Sequence, residues 1–178
     1  LNIEGNPFAP SLGDYPGFIE LVKESKPEQC TLVPDNNDQL TSDHGFDLNI
    51  TGEQLMPIIQ DLKAQGIRIA LFMDPDPEQI RLAADLGADR VELYTGPYAT
   101  AWGTENLDRL FQRHLAAAEL ATSLGMGVNA EHDLNLDNLA KFASIPGLLE
   151  VSIGHAFTVD SLAMGMTNAL RAYKTLLS

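Results

Sequence analysis

Six apolar runs of strand length recur along this chain, at residues 1–4, 29–34, 67–73, 90–95, 126–131 and 148–154, with helical patterns between them. Their starts, at 1, 29, 67, 90, 126 and 148, lie 28, 38, 23, 36 and 22 residues apart. Each interval has room for one crossover helix, and repeated strand–helix units of that size build a parallel sheet covered by helices. The continuously apolar run Ile67-Arg-Ile-Ala-Leu-Phe-Met73 suits a strand buried on both faces. Two α/β architectures satisfy this pattern, an open doubly wound sheet and a barrel. A complete barrel needs eight units and typically about 250 residues, so six units in 178 residues amount to a barrel lacking its first two. In the barrel, the six runs are expected to lie parallel and adjacent in chain order along a curved sheet, with helices outside.

Local signals place the helix ends. Thr51-Gly-Glu-Gln54 reads as a capping box, and Asp76-Pro77-Glu78-Gln79 supplies an N-cap, a first-turn proline and a glutamine three residues on. Leu86-Gly87 and Leu124-Gly125 read as helix stops. Pro57 falls where the first of these helices should be under way, and is expected to delay or kink it. Gly125-Met-Gly127 enters a strand instead of opening a helix, so no dinucleotide fingerprint is present.

Charge narrows the function. With 25 acidic and 11 basic residues the formal net charge is −14, which argues against a nucleic-acid groove or an anionic-membrane surface. The single cysteine, Cys30, excludes a disulfide framework and a cysteine-based zinc site. No apolar run reaches the roughly 20 residues that cross a bilayer. The chain opens on Leu1, already inside an apolar alternation, and a longer native sequence is the expectation.

In parallel strand–helix folds the C-terminal ends of the strands carry the site. Here those ends offer Glu4, then Asp35 with the loop through Thr41, then Asp74, then Glu92 with Tyr94 and Thr95, then Glu131-His132-Asp133, and finally Gly154-His155. Loops begin at strand ends and are polar anyway, so no single residue marks a site, whereas convergence over six strands points toward one. Glu92 stands inside an apolar strand, where a lone carboxylate is costly, so it requires a task or a salt bridge to a neighbouring strand. If faces alternate, Glu92 and Tyr94 share one side. His132 lies between two carboxylates, and an imidazole is the side chain suited to moving protons near neutral pH. His44, in a loop, and His114, in a helix, read as surface residues. The acidic rim would also suit a metal, but no His-x-His or His-x-x-x-His pair supports one. Gly154-His155 ends the last strand before a helix starting near Thr158, a junction whose N–H groups suit a phosphate.

The segments Leu32-Val-Pro-Asp35 with Leu40-Thr-Ser-Asp-His-Gly-Phe-Asp47, Val91-Glu-Leu-Tyr-Thr-Gly-Pro-Tyr-Ala99, Gly127-Val-Asn-Ala-Glu-His-Asp-Leu-Asn135 and Val151-Ser-Ile-Gly-His-Ala156 resemble the pyridoxine 5′-phosphate synthase family, in its order and spacing and over essentially the whole chain. The resemblance implies a (β/α)8 TIM barrel with six βα units present here, as one domain over 1–178. It implies a cytoplasmic homo-oligomeric enzyme that condenses 3-amino-2-oxopropyl phosphate with 1-deoxy-D-xylulose 5-phosphate, without cofactor or metal. By motif, Glu4 resembles the family's glutamate base, His132 its proton donor and Glu92 the acid that stabilises the transition state. Thr41 and Asp133 match substrate-binding positions, and Gly154 with His155 matches the pair contacting substrate at the last strand.

Two departures accompany the resemblance. The family has glycine before the proton-donor histidine where Glu131 stands here. Its first two βα units, which carry an asparagine, histidines and arginines of the substrate site and another catalytic histidine, have no counterpart in this sequence. These departures leave two other readings, a catalytically degenerate phosphate-binding or assembly subunit and a metal-assisted barrel hydrolase.

Overall fold

A computed structural model of the protein describes residues 1–36 and 39–177. Six strands, β1 (Asn2–Gly5), β2 (Gln29–Leu32), β3 (Arg68–Met73), β4 (Arg90–Tyr94), β5 (Gly127–Glu131) and β6 (Leu148–Ser152), form one sheet in chain order. Every neighbouring pair is parallel, as the spacing predicts. The helices are α1 (Phe18–Ser25), α2 (Leu48–Ala64), α3 (Pro77–Asp85), α4 (Gly96–Thr100), α5 (Leu107–Ser123), α6 (Leu139–Ala143), α7 (His155–Met164) and α8 (Met166–Leu176).

The sheet is curled into a half-barrel. Neighbouring strands are spaced about 4.8 Å apart, so β1 and β4, three steps apart, would be separated by about 14 Å in a flat sheet. Yet carboxylate oxygens of Glu4 on β1, Glu92 on β4 and Glu131 on β5 all lie within 4.8 Å of one another. Likewise Ser152 on β6 reaches Glu92 at 3.4 Å and Thr31 on β2 reaches it at 3.1 Å. Only closure toward a common interior brings these side chains together, and this excludes the flat doubly wound alternative.

Alternation along each strand separates two chemistries. Cys30, Leu32, Ile69, Leu71, Met73, Val91, Leu93, Val128 and Ala130 point outward into one apolar core with Leu55, Ile59 and Leu62 of α2, Ile80 of α3 and Ala117, Ala118 and Ala121 of α5. The alternate residues face inward and are mostly polar: Asn2, Glu4, Thr31, Arg90, Glu92, Asn129, Glu131 and Ser152. Ala70 and Phe72 of β3 are the apolar exceptions, which is why that strand reads as continuously apolar. Fully burying each large aliphatic side chain contributes about 1.5–3 kcal/mol, so the outer layer dominates stability and leaves the inner face free for chemistry.

Several boundaries differ from expectation. α2 starts at Leu48, capped by the Asp47 side chain, which accepts from the Asn49 N–H; Thr51 lies inside the helix, its hydroxyl donating to the Asp47 carbonyl at 2.9 Å. The Thr51–Gln54 pattern is therefore not a cap. Pro57 does not delay α2, which runs from Leu48 to Ala64 with Pro57 on its exposed side, where a carbonyl without its N–H partner is open to solvent. Asp76 caps α3 as expected, accepting from Glu78 and Gln79. The helix expected near Thr158 begins at His155, directly after Gly154. His114 is fully buried, not a surface residue. Its Nδ1 lies 2.8 Å from the Leu110 carbonyl and its Nε2 2.9 Å from that of Tyr94. The signal was in the spacing: His114, Ala117, Ala118 and Ala121 form one i, i+3, i+4, i+7 stripe.

Candidate active site

The inner face presents its acids in the middle of the half-barrel. Glu92 is fully buried and accepts from the Thr31 and Ser152 hydroxyls; among the described residues no lysine or arginine pairs with it, so the salt-bridge reading does not hold. Arg90, one inward position below, instead donates to Asn129 at 2.8 Å and Glu150 at 2.9 Å. Gly127 makes room for it, since a Cβ there would stand 3.0 Å from Arg90 Cγ and 2.8 Å from Leu149 Cδ1.

Glu4, Glu92 and Glu131 are close enough to ligate one cation. A proton relieves their repulsion equally well. Burial, the hydrogen bond to Glu92 and the charges of Glu4 and Glu92 push Glu131 up to about 10. Burial and the charge of Glu92 raise Glu4 to about 7. Glu4 retains solvent contact beyond β1, which tempers the burial contribution and leaves like-charge crowding as the firmer cause.

Above this layer sits His132. Its ring makes edge contacts with Phe72 and Tyr94, at centroid distances of 5.4 and 5.6 Å, so Tyr94 does share the inner face with Glu92. Burial lowers the imidazole pKa, opposed by the charges of Asp133, Asp35 and Glu92. His132 and Asp133 both adopt the left-handed region, with φ of 80° and 59°, which turns the chain sharply off the end of β5.

A pocket of about 460 Å³ collects Thr41, Glu131, His132, Asp133, Ser152, Gly154 and His155. Five of the seven predicted site residues line it, while Glu4 and Glu92 reach it through Glu131. Thr41 arrives there because the β2–α2 loop is pinned across the end of β3: the Phe46 N–H donates to the Phe72 carbonyl at 3.0 Å, and any Cβ on Gly45 would collide with the Met73–Asp74 backbone. Residues 37 and 38 of that loop lie outside the described residues. Asp74, expected on the same rim, is held by the Gly45 N–H and lines a separate cavity of about 470 Å³ with His44, Arg113 and His114. His44 is exposed, as expected. The hydroxyls of Thr31 and Ser152 escaped the sequence reading, although strand alternation places both on the face of Glu92.

The family described as Pyridoxal phosphate biosynthesis protein PdxJ matches residues 1–178. The chain belongs to this family. A PdxJ-type relative from Xanthomonas axonopodis pv. citri (strain 306), named pyridoxine 5'-phosphate synthase, is 50% identical over 177 residues, covering 99% of this chain and 69% of the relative. One of the same name from Xylella fastidiosa (strain 9a5c) is 45% identical, covering 99% and 68%. Among solved structures, a xylose isomerase domain protein from Planctomyces limnophilus superposes with TM-score 0.58 at 13% identity, covering 100% of this chain and 71% of that one. A mutant of trehalulose synthase MutB gives 0.63 at 10%, covering 99% and 54%. At such identities these two speak for the fold of the PdxJ-family chain alone.

Proposed function

We propose that this protein is a pyridoxine 5′-phosphate synthase, which condenses 3-amino-2-oxopropyl phosphate with 1-deoxy-D-xylulose 5-phosphate and releases phosphate and water. The observation that carries the reading is the family match over residues 1–178, whose motif residues converge on one pocket. In this reading Glu4 is the base, His132 the proton donor and Glu92 the acid opposing charge developed in the transition state. Thr41, Asp133, Gly154 and His155 bind substrate. A ring-forming condensation needs repeated proton transfers and grips on two phosphates, with no redox step, so no nucleotide cofactor enters. Among the described residues no lysine or arginine lines the pocket, so the phosphate at Gly154–His155 is held by N–H groups at the start of α7. The same reading carries a (β/α)8 barrel of which this chain holds six βα units as one domain over 1–178, a homo-oligomer and a cytoplasmic location. No helix among the described residues is long and apolar enough to cross a membrane.

The test is product formation from the two substrates. Native protein should form pyridoxine 5′-phosphate, and His132→Asn, which cannot transfer protons at neutral pH, should fold normally and lose at least roughly 100-fold in turnover. The exposed Glu119→Gln is the control. Normal turnover by His132→Asn would remove His132 from the mechanism. Glu131 favours a second reading, a catalytically degenerate phosphate-binding subunit, because it crowds the proposed base. Inactive native protein in which Glu131→Gly restores turnover would establish that reading. Activity lost to a chelator and restored by a divalent cation would instead favour a metal-assisted hydrolase.

A further inference from the structure

Thr95 stands at the N-cap position of α4, where a threonine hydroxyl ordinarily accepts from the backbone N–H two or three residues on. It makes no such bond. Instead the hydroxyl, fully buried, points across to the end of β5, where its single proton is shared between the carbonyls of Glu131, at 2.8 Å, and of His132. The Thr95 N–H also donates to the Glu131 carbonyl, at 2.9 Å. Three contacts from one residue thus clamp the two peptide units that carry Glu131 and His132. These units flank His132, the first of two consecutive left-handed residues, His132 and Asp133, a conformation that costs non-glycine residues energy and persists only where surroundings enforce it. Downstream, the Asn138 side chain holds the Asp133 carbonyl at 3.0 Å. Next to Thr95, Tyr94 packs against the imidazole, and Gly96 leaves the space that the Tyr94 hydroxyl needs.

We infer that Thr95 is a positioning residue: its hydroxyl locks the turn after β5 and thereby aims the His132 imidazole into the pocket. The inference rests on the proposed role of His132 only for its effect on turnover; the orientation of the ring stands independently. The titratable groups facing that ring are Tyr94 and Glu92 from β4, Asp133 beside it in the chain, and Asp35 from the β2–α2 loop, while Phe72 of β3 meets its edge. Of these, Tyr94, Glu92 and Asp35 lie outside the turn that the Thr95 hydroxyl holds.

The experiment compares Thr95→Val, which keeps the N–H and the volume but removes the hydroxyl, with Thr95→Ser, which keeps the hydroxyl. Should the valine variant fail to fold, Thr95→Ala takes its place. The pH titration of the His132 imidazole is followed by NMR in each protein, assigned by its loss in His132→Asn. The expected result is a displaced or broadened His132 resonance with a shifted titration midpoint in the valine variant, and native behaviour in the serine variant. In turnover, misaiming a proton donor by about an ångström costs roughly 10- to 100-fold in kcat, with KM changed less than about threefold, and serine restores the native value. A valine variant with native imidazole titration, or a serine variant no closer to native than valine, overturns the inference. If the imidazole responds as expected while His132→Asn retains turnover, the positioning stands and the catalytic reading of His132 fails.

Discussion

Bringing Glu4, Glu92 and Glu131 within 4.8 Å of one another crowds negative charge onto the inner face around the fully buried Glu92, and protons relieve it. The consequence is measurable as stability. Glu4 and Glu131 begin near 4.5 in an unfolded chain and rise to about 7 and about 10 in the folded one. Below pH 4.5 both states hold these protons, and the contribution of these two groups to stability is fully present. As pH climbs from 4.5 the unfolded chain ionises at both positions while the folded protein holds the Glu4 proton until near 7 and the Glu131 proton beyond it, so stability falls. Glu131→Gln removes one titrating group and should flatten the decline of Tm between pH 5 and 8; an equal or steeper decline would place the proton elsewhere. Glu92 was recognisable as anomalous in the sequence, because a carboxylate between Val91 and Leu93 has no local partner. What satisfies it was not, since Thr31 is 61 residues away and Ser152 is 60.

At the level of elements, the strands were legible because a strand covered by helices must present apolar residues outward whatever its inner face does. Asp76 was legible as a cap for an equally local reason, and Asp76→Ala should cost about 1 kcal/mol by thermal or urea unfolding. The start of α2 was misplaced because Thr51-Gly-Glu-Gln54 imitates a capping box, while Asp47 takes the cap and the loop before it is fixed by the β3 end. His114 was misplaced for a different reason. A helical histidine looks like a surface residue until both its nitrogens are found against carbonyls, one of which belongs to β4. His114→Gln should therefore destabilise the fold by about 1–3 kcal/mol, the range for disturbing a buried polar group. Gly127→Val should cost a similar 1–3 kcal/mol through overpacking against Arg90 and Leu149. Wild-type unfolding midpoints in either variant would contradict the packing described.

Across the whole molecule, a formal charge of −14 acts on everything at once. Self-repulsion lowers the stability of the compact state and salt screens it, so Tm should rise by a few degrees between low ionic strength and about 0.5 M sodium chloride. A Tm that falls with salt would show that ion pairs such as Lys63–Asp89 outweigh the net repulsion. The same charge gives dianionic phosphate no general attraction, which makes the Gly154–His155 junction a local site. Gly154→Val, in open space but beside the start of α7, should fold normally and weaken inorganic phosphate binding at least about tenfold by calorimetry, by blocking close backbone approach. Undiminished binding would move the phosphate site elsewhere.

The sequence by itself determined the six-strand parallel order, the outward apolar layer, the acids and histidine at strand ends and the family. Each of these follows from local periodicity or from motifs carried within a few residues. Tertiary structure alone decided how closely the curved sheet gathers three carboxylates, the loop that delivers Thr41, the burial of His114 and the turn of Thr95 away from its own helix toward β5. All four depend on contacts between segments distant in the chain, whose register no local pattern encodes.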